Sequence, residues 1–126
     1  VIAAVVILFV VFGAGVFIFG WPYSDTPRQR AWLRDLCDPV KDVPLVIEAH
    51  FSKHGAYPKT IDELDRSLPG ANGAIEGLRA NRFIYSSNGG YYSIYKKLNW
   101  DGGVHYDQHD ARWEYGINDD TEWPIY

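Results

Sequence analysis

The first 24 residues carry no Asp, Glu, Lys, Arg or His; the first charged side chain is Asp25. All 12 basic and all 16 acidic residues lie in Ser24–Tyr126. A single globular domain spreads its charge over its whole surface, so this segregation excludes an ordinary one-domain cytosolic protein. Methionine is absent throughout, including position 1, so further sequence is expected upstream of Val1. The single cysteine, Cys37, has no partner for an internal disulfide and excludes a disulfide framework. A basic excess is also missing. With a net charge of −4 and a pI near 5.4 the chain lacks the phosphate-binding stripe of a nucleic-acid protein, so no nucleic-acid partner is expected. At 47% apolar and 22% charged residues it is not a disordered chain either.

The uncharged start is one apolar run, Val1–Phe19, VIAAVVILFVVFGAGVFIF. Nineteen residues at about 1.5 Å rise span roughly 28 Å, close to the hydrocarbon core of a bilayer. The run is apolar on all sides, too long for a signal-peptide core, and Gly20-Trp21-Pro22 makes a poor cleavage site. It is expected to be a transmembrane helix over residues 1–20, with Trp21 and Tyr23 as interfacial anchors. Gly13, Ala14 and Gly15 would let a neighbouring membrane helix approach closely. Without a polar residue the span offers no ion or proton path. Residues 21–126 then form the extramembrane domain. Arg28, Arg30 and Arg34 after the span favour a cytoplasmic side by the positive-inside rule.

In that domain, Ser24-Asp25-Thr26-Pro27 reads as a helix start, leading a helix through Arg28–Cys37 with Trp32/Leu36 and Leu33/Cys37 four apart. Asp38-Pro39 repeats the signal, and Val40, Val43, Ile47 and Phe51 form a helical stripe with Pro44 as a kink or restart and Gly55 as its left-handed cap. Thr60–Glu63 reads as a capping box for a short helix carrying Ile61, Leu64 and Leu68. Gly70–Gly77 reads as a loop. From Asn81 the period changes to two. Phe83–Tyr85, Tyr91–Tyr95, Val104–Tyr106 and Arg112–Tyr115 are strands separated by Gly-rich or polar turns. Helices first and antiparallel strands second make the class α+β, a helical stalk packed on a small antiparallel sheet.

The stretch Ile47–Leu64 contains Gly55-Ala56-Tyr57-Pro58 at a helix end, followed by the Thr60-led short helix. Together with the order of elements, this resembles the type IV pilin and type II secretion pseudopilin group. The resemblance implies a pilin-like fold in which the membrane helix continues into the stalk, a bacterial setting with the domain on the periplasmic side, and assembly with other subunits or with itself in a filament. It also raises calcium binding by a C-terminal loop. The start Val1-Ile2-Ala3-Ala4-Val5 lacks the Phe-Thr-Leu-Ile-Glu of that group. Its Glu neutralises a neighbour's N-terminus during polymerisation. Its absence favours an accessory subunit of a larger membrane complex over a filament subunit, and the periplasm is preferred over the cytoplasm.

Three places carry conceivable chemistry. His105 and His109 lie four apart among Asp101, Asp107 and Asp110, suited to zinc, but across a hairpin turn and without an HExxH pattern. Asn118–Glu122, with Asp119 and Asp120, offers oxygens for calcium without the spacing of an EF-hand. Cys37 on an apolar helix face fits a small buried thiol better than a nucleophile. No Gly-x-Ser-x-Gly, P-loop or dinucleotide fingerprint occurs. Neither catalysis nor a resident metal or cofactor is expected. The aromatic C-terminal half, with Tyr91, Tyr92, Tyr95, Trp100, Tyr106 and Trp113 among others, is expected to bury about half its rings and leave the rest for protein partners.

Overall fold

The computed structural model describes residues 26–98, 102–117 and 121–126. Their order is helix α1 (Pro27–Cys37), a 3-10 turn (Asp38–Val40), α2 (Val43–His54), a second 3-10 turn (Ile61–Glu63), α3 (Ala71–Ala80), and strands β1 (Ile84–Ser87), β2 (Tyr92–Lys97), β3 (Gly102–Asp107), β4 (Arg112–Ile117) and β5 (Thr121–Pro124). Ala31–Tyr126 forms one compact unit. The strands follow one another as an antiparallel meander, β1-β2-β3-β4-β5, so β1 and β5 are the edges.

The fold class is α+β, but the expected architecture needs correction. The expected membrane helix continuing into a stalk is not what the described residues form, and the breaks fall at the prolines that signalled them. Here Asp38-Pro39 and Val43-Pro44 each begin a new segment, because a proline lacks the donor that continues a helix but fits its first turn. The result is two helices of 11 and 12 residues joined by a 3-10 turn. Among the described residues no helix is long and apolar enough to cross a membrane. The run Val1–Phe19, with Gly13, Ala14, Gly15, and the proposed anchors Trp21 and Tyr23, lies outside the described residues. The sheet also has a fifth strand where three or four were expected. The expected loop Gly70–Gly77 is α3 instead: Ala71, Ala74, Ile75 and Leu78 recur at helical spacing and are buried. This helix ends in a Schellman motif, Phe83 N–H to Leu78 O, with Arg82 in the left-handed conformation at φ 59°.

Helices and sheet share one aromatic-rich core. Alternation along β2 turns Tyr92 and Ile94 inward, joined by Val104 of β3 and by Trp113 and Tyr115 of β4. The helical side contributes Leu33, Cys37, Val40, Val43 and Ile47. The stripe does not end at Phe51, which is 37% exposed; His50, at 8%, takes the inward position. Polar ties fix the layers. Trp113 Nε1 donates to Lys41 O at 3.2 Å, and Arg34 Nε donates to Ile125 O at 2.9 Å.

The Gly-x-Tyr-Pro corner is a packing device. Gly55 ends α2 at φ 77°, donating to Phe51 O at 2.7 Å. Tyr57 then turns inward between Phe51 and Tyr92, with ring centroids 4.5 and 4.8 Å away. Its hydroxyl donates to Glu48 Oε1 at 2.9 Å. The β1–β2 turn accepts the Tyr57 amide at Gly89 O, 2.9 Å, and Tyr85 donates to Pro58 O at 2.6 Å.

Candidate functional site

His105 and His109 do not converge. His105 stands within β3, in register with Tyr95 of β2 and Glu114 of β4. His109 lies in the β3–β4 turn, where its ring stacks on Tyr91 at 4.8 Å and its amide donates to Asp107 Oδ1 at 2.8 Å. Burial alone would raise the Asp107 carboxyl, but the hydrogen bonds from the Tyr91 hydroxyl and the His109 amide hold it below its ordinary value. The Tyr91 hydroxyl is correspondingly pushed up to about 12, first by that hydrogen bond and then by burial. The turn thus uses its polar groups on itself. Among the described residues no three His, Cys, Asp or Glu side chains stand together as metal ligands. Asp119 and Asp120, the calcium candidates, lie outside the described residues.

Cys37 is fully buried, and burial, followed by the neighbouring Asp38, pushes its thiol up to about 12. At neutral pH it stays a thiol, which is a poor nucleophile.

Two arrangements were not read from the sequence. The first is a polar cluster where the end of α2 meets the segment after the second 3-10 turn. His50 and His54 lie four apart on α2, with rings 4.5 Å apart. His50 Nδ1 accepts the Asp65 amide at 3.0 Å. The Asp65 carboxylate in turn receives His54 Nε2 and Lys53 Nζ, each at 2.7 Å, and the Ser67 hydroxyl and amide at 2.6 and 2.9 Å. Those donors, Lys53 first, then Ser67 and His54, hold the Asp65 carboxyl far below the usual range. His50 is also lowered from its ordinary value: burial first, then repulsion from His54, disfavours its protonation. The signal for this pair was the four-residue spacing inside a helix, which puts two side chains on one face.

The second is apolar. Ile84 on β1 is paired with Tyr95 on β2, and both stand on the sheet face opposite the half-buried Tyr85 and its buried partner Ile94. Ile84 is 63% exposed and Tyr95 39%. Trp32 on α1 and Leu45 on α2 are also largely exposed. On the same outer face Glu114 is fully buried; its Oε1 accepts Arg112 Nε at 3.0 Å, while Oε2 has no hydrogen-bond partner among the described residues. A groove of about 300 Å³ between the start of α2 and α3 is lined by Asp38, Pro39, Asp42, Val43, Val46 and Ala74, among others.

No family model matches the chain, and no curated protein or solved structure is detectably similar to it.

Proposed function

We propose that this chain is a membrane-tethered, non-catalytic accessory subunit of a larger membrane complex, whose folded domain binds protein partners. The observation that carries this reading is the Ile84–Tyr95 pair on an edge of the sheet. An edge strand presents unpaired backbone groups, and a protein that keeps one in solution normally guards it with charge or cover. Here the edge displays a large aliphatic residue beside an aromatic ring, the combination enriched at the centre of protein interfaces. The charge-free run Val1–Phe19 supports the tether, and its small residues Gly13, Ala14 and Gly15 suit contact with other membrane helices. The folded domain is assigned to the periplasmic side.

Gentle solubilisation of the full chain followed by size measurement tests the reading. Partner chains should co-purify in fixed ratio, and Ile84→Lys should release them while leaving the fold intact. A fibre built from this chain alone would replace the accessory role by a filament role. A lone monomer from native membranes would sink both.

A further inference from the structure

The geometry points to His50 as an acid-released latch on the Asp65 amide: its neutral imidazole holds that amide, and a proton on Nδ1 breaks this hydrogen bond while Lys53 and His54 keep the Asp65 carboxylate at the end of α2. The bond from the Asp65 amide to His50 Nδ1, 3.0 Å long, requires an unprotonated Nδ1, so the ring is in its Nε2–H tautomer. A proton on Nδ1 turns the acceptor into a donor and sets two N–H groups against each other. His50 is 8% exposed, so little water compensates the lost bond, and the contact opens.

The groups facing His50 come from two elements. On its own helix stand His54 and Lys53, which oppose a proton on it; across from it stand Asp65 and Glu63, which favour one. Burial and the two bases prevail, so the closed latch takes its proton at a lower pH than an ordinary imidazole does. Asp65 stays ionised throughout, held by Lys53, Ser67 and His54, so the anchor on the loop side does not titrate in the same range. The sign follows. With the Asp65 amide withdrawn, His50 titrates closer to its ordinary value of about 6.5. The closed form is fully favoured above that pH. Opening gains as pH falls from about 6.5 towards the lower value of the closed latch, by up to about tenfold per pH unit for one linked proton.

The test is amide exchange on the full chain in detergent, read at Asp65 as a protection factor corrected for intrinsic exchange, from pH 7.5 to 5, alongside imidazole 15N shifts. Asp65 protection is expected to be constant above pH 7 and to fall as His50 is protonated. His50→Asn, whose side-chain oxygen replaces Nδ1 but does not titrate, should keep Asp65 protected to pH 5. Protection that is flat in the unaltered protein, or a fall of equal size in His50→Asn, overturns the latch. If His50→Asn does not fold, coincidence of the Asp65 and His50 transitions in the unaltered protein decides alone, and separate midpoints overturn it.

Discussion

Tyr57 offers a direct test of what holds the end of α2 against the sheet. Its ring is almost wholly buried, touching Phe51 and Tyr92, while its hydroxyl donates to the carboxylate of Glu48, an exposed residue. Two substitutions separate ring from hydroxyl. Tyr57→Phe keeps the ring and deletes one hydrogen bond; Glu48 lies at the surface, where water replaces the lost donor, so the cost is about 0.5–1 kcal/mol. Tyr57→Ala removes a buried ring and leaves a cavity, at about 3–5 kcal/mol. For a unit of this size, Ala31–Tyr126, each kcal/mol moves Tm by about 4–8 °C. Thermal unfolding at pH 7 should therefore show a fall of a few degrees for Tyr57→Phe and well over 10 °C for Tyr57→Ala. Equal losses in the two variants would refute the primacy of ring packing. An alkaline limb gives a second reading. Burial, then the Glu48 hydrogen bond, pushes the Tyr57 hydroxyl up to about 12, above its ordinary value of 10. A raised folded value means stability that is complete below pH 10 and lost as pH rises through 12, and Tyr57→Phe should remove this share of the loss.

Three further outcomes are expected. Gly103→Ala should destabilise by about 1–3 kcal/mol in urea unfolding, since its Cβ would stand 2.6 Å from the backbone oxygen of Lys96, which cannot swing aside, and 2.8 Å from the Tyr95 ring. Arg82→Gly should stabilise by roughly 0.5–1 kcal/mol in the same assay, because relief of left-handed strain exceeds the added freedom of the unfolded chain. Cys37 should resist alkylation at pH 8 in the native state and react only after unfolding in denaturant, whereas rapid native reaction would contradict its burial and raised thiol.

The sequence was most legible where a local rule and the core agreed. Thr26-Pro27 does start a helix, with the Thr26 hydroxyl accepting the Gln29 amide at 3.3 Å. Gly55 does take the left-handed cap, and the first four strands lie close to where period-two patterning put them. It was least legible where small residues carried the pattern. In α3 the inward stripe is Ala71, Ala74, Ile75 and Leu78, and two of those four are alanines, while Gly70, Gly73 and Gly77 advertise a loop. At Gly77 a Cβ would meet Pro39 O at 3.4 Å, an ordinary contact, so the packing of α3 on the first 3-10 turn does not itself demand the glycine. The capping box misled in a different way. Thr60 is extended and its side chain caps nothing; Glu63 instead reaches the amide of Lys59 at 3.2 Å, and the box closes a single 3-10 turn. A box specifies how a helix begins, and the core decides whether one continues.

The polar sites show the same dependence on context. Two pairs of histidines lie four apart, His50/His54 and His105/His109. Hairpin residues drew attention because carboxylates crowd them, yet spacing of four has no fixed meaning across a turn. In β3 alternate residues share a face, and His109 falls past the end of the strand, where it caps a turn against Tyr91. Within α2 the same spacing is one turn of helix and does fix a shared face. The hydrophobic stripe concealed that pair. The expected line Val40, Val43, Ile47 and then Phe51 passes His50 by; stepping by three rather than four at the last position puts His50 inside and Phe51 out. Both steps fit a 3.6 period, so periodicity alone could not choose. The choice is made by the chain beyond Gly55. Tyr57 folds back over α2 and occupies the space beside Phe51, and the segment after the second 3-10 turn brings the Asp65 amide to the only acceptor a buried histidine ring can offer it.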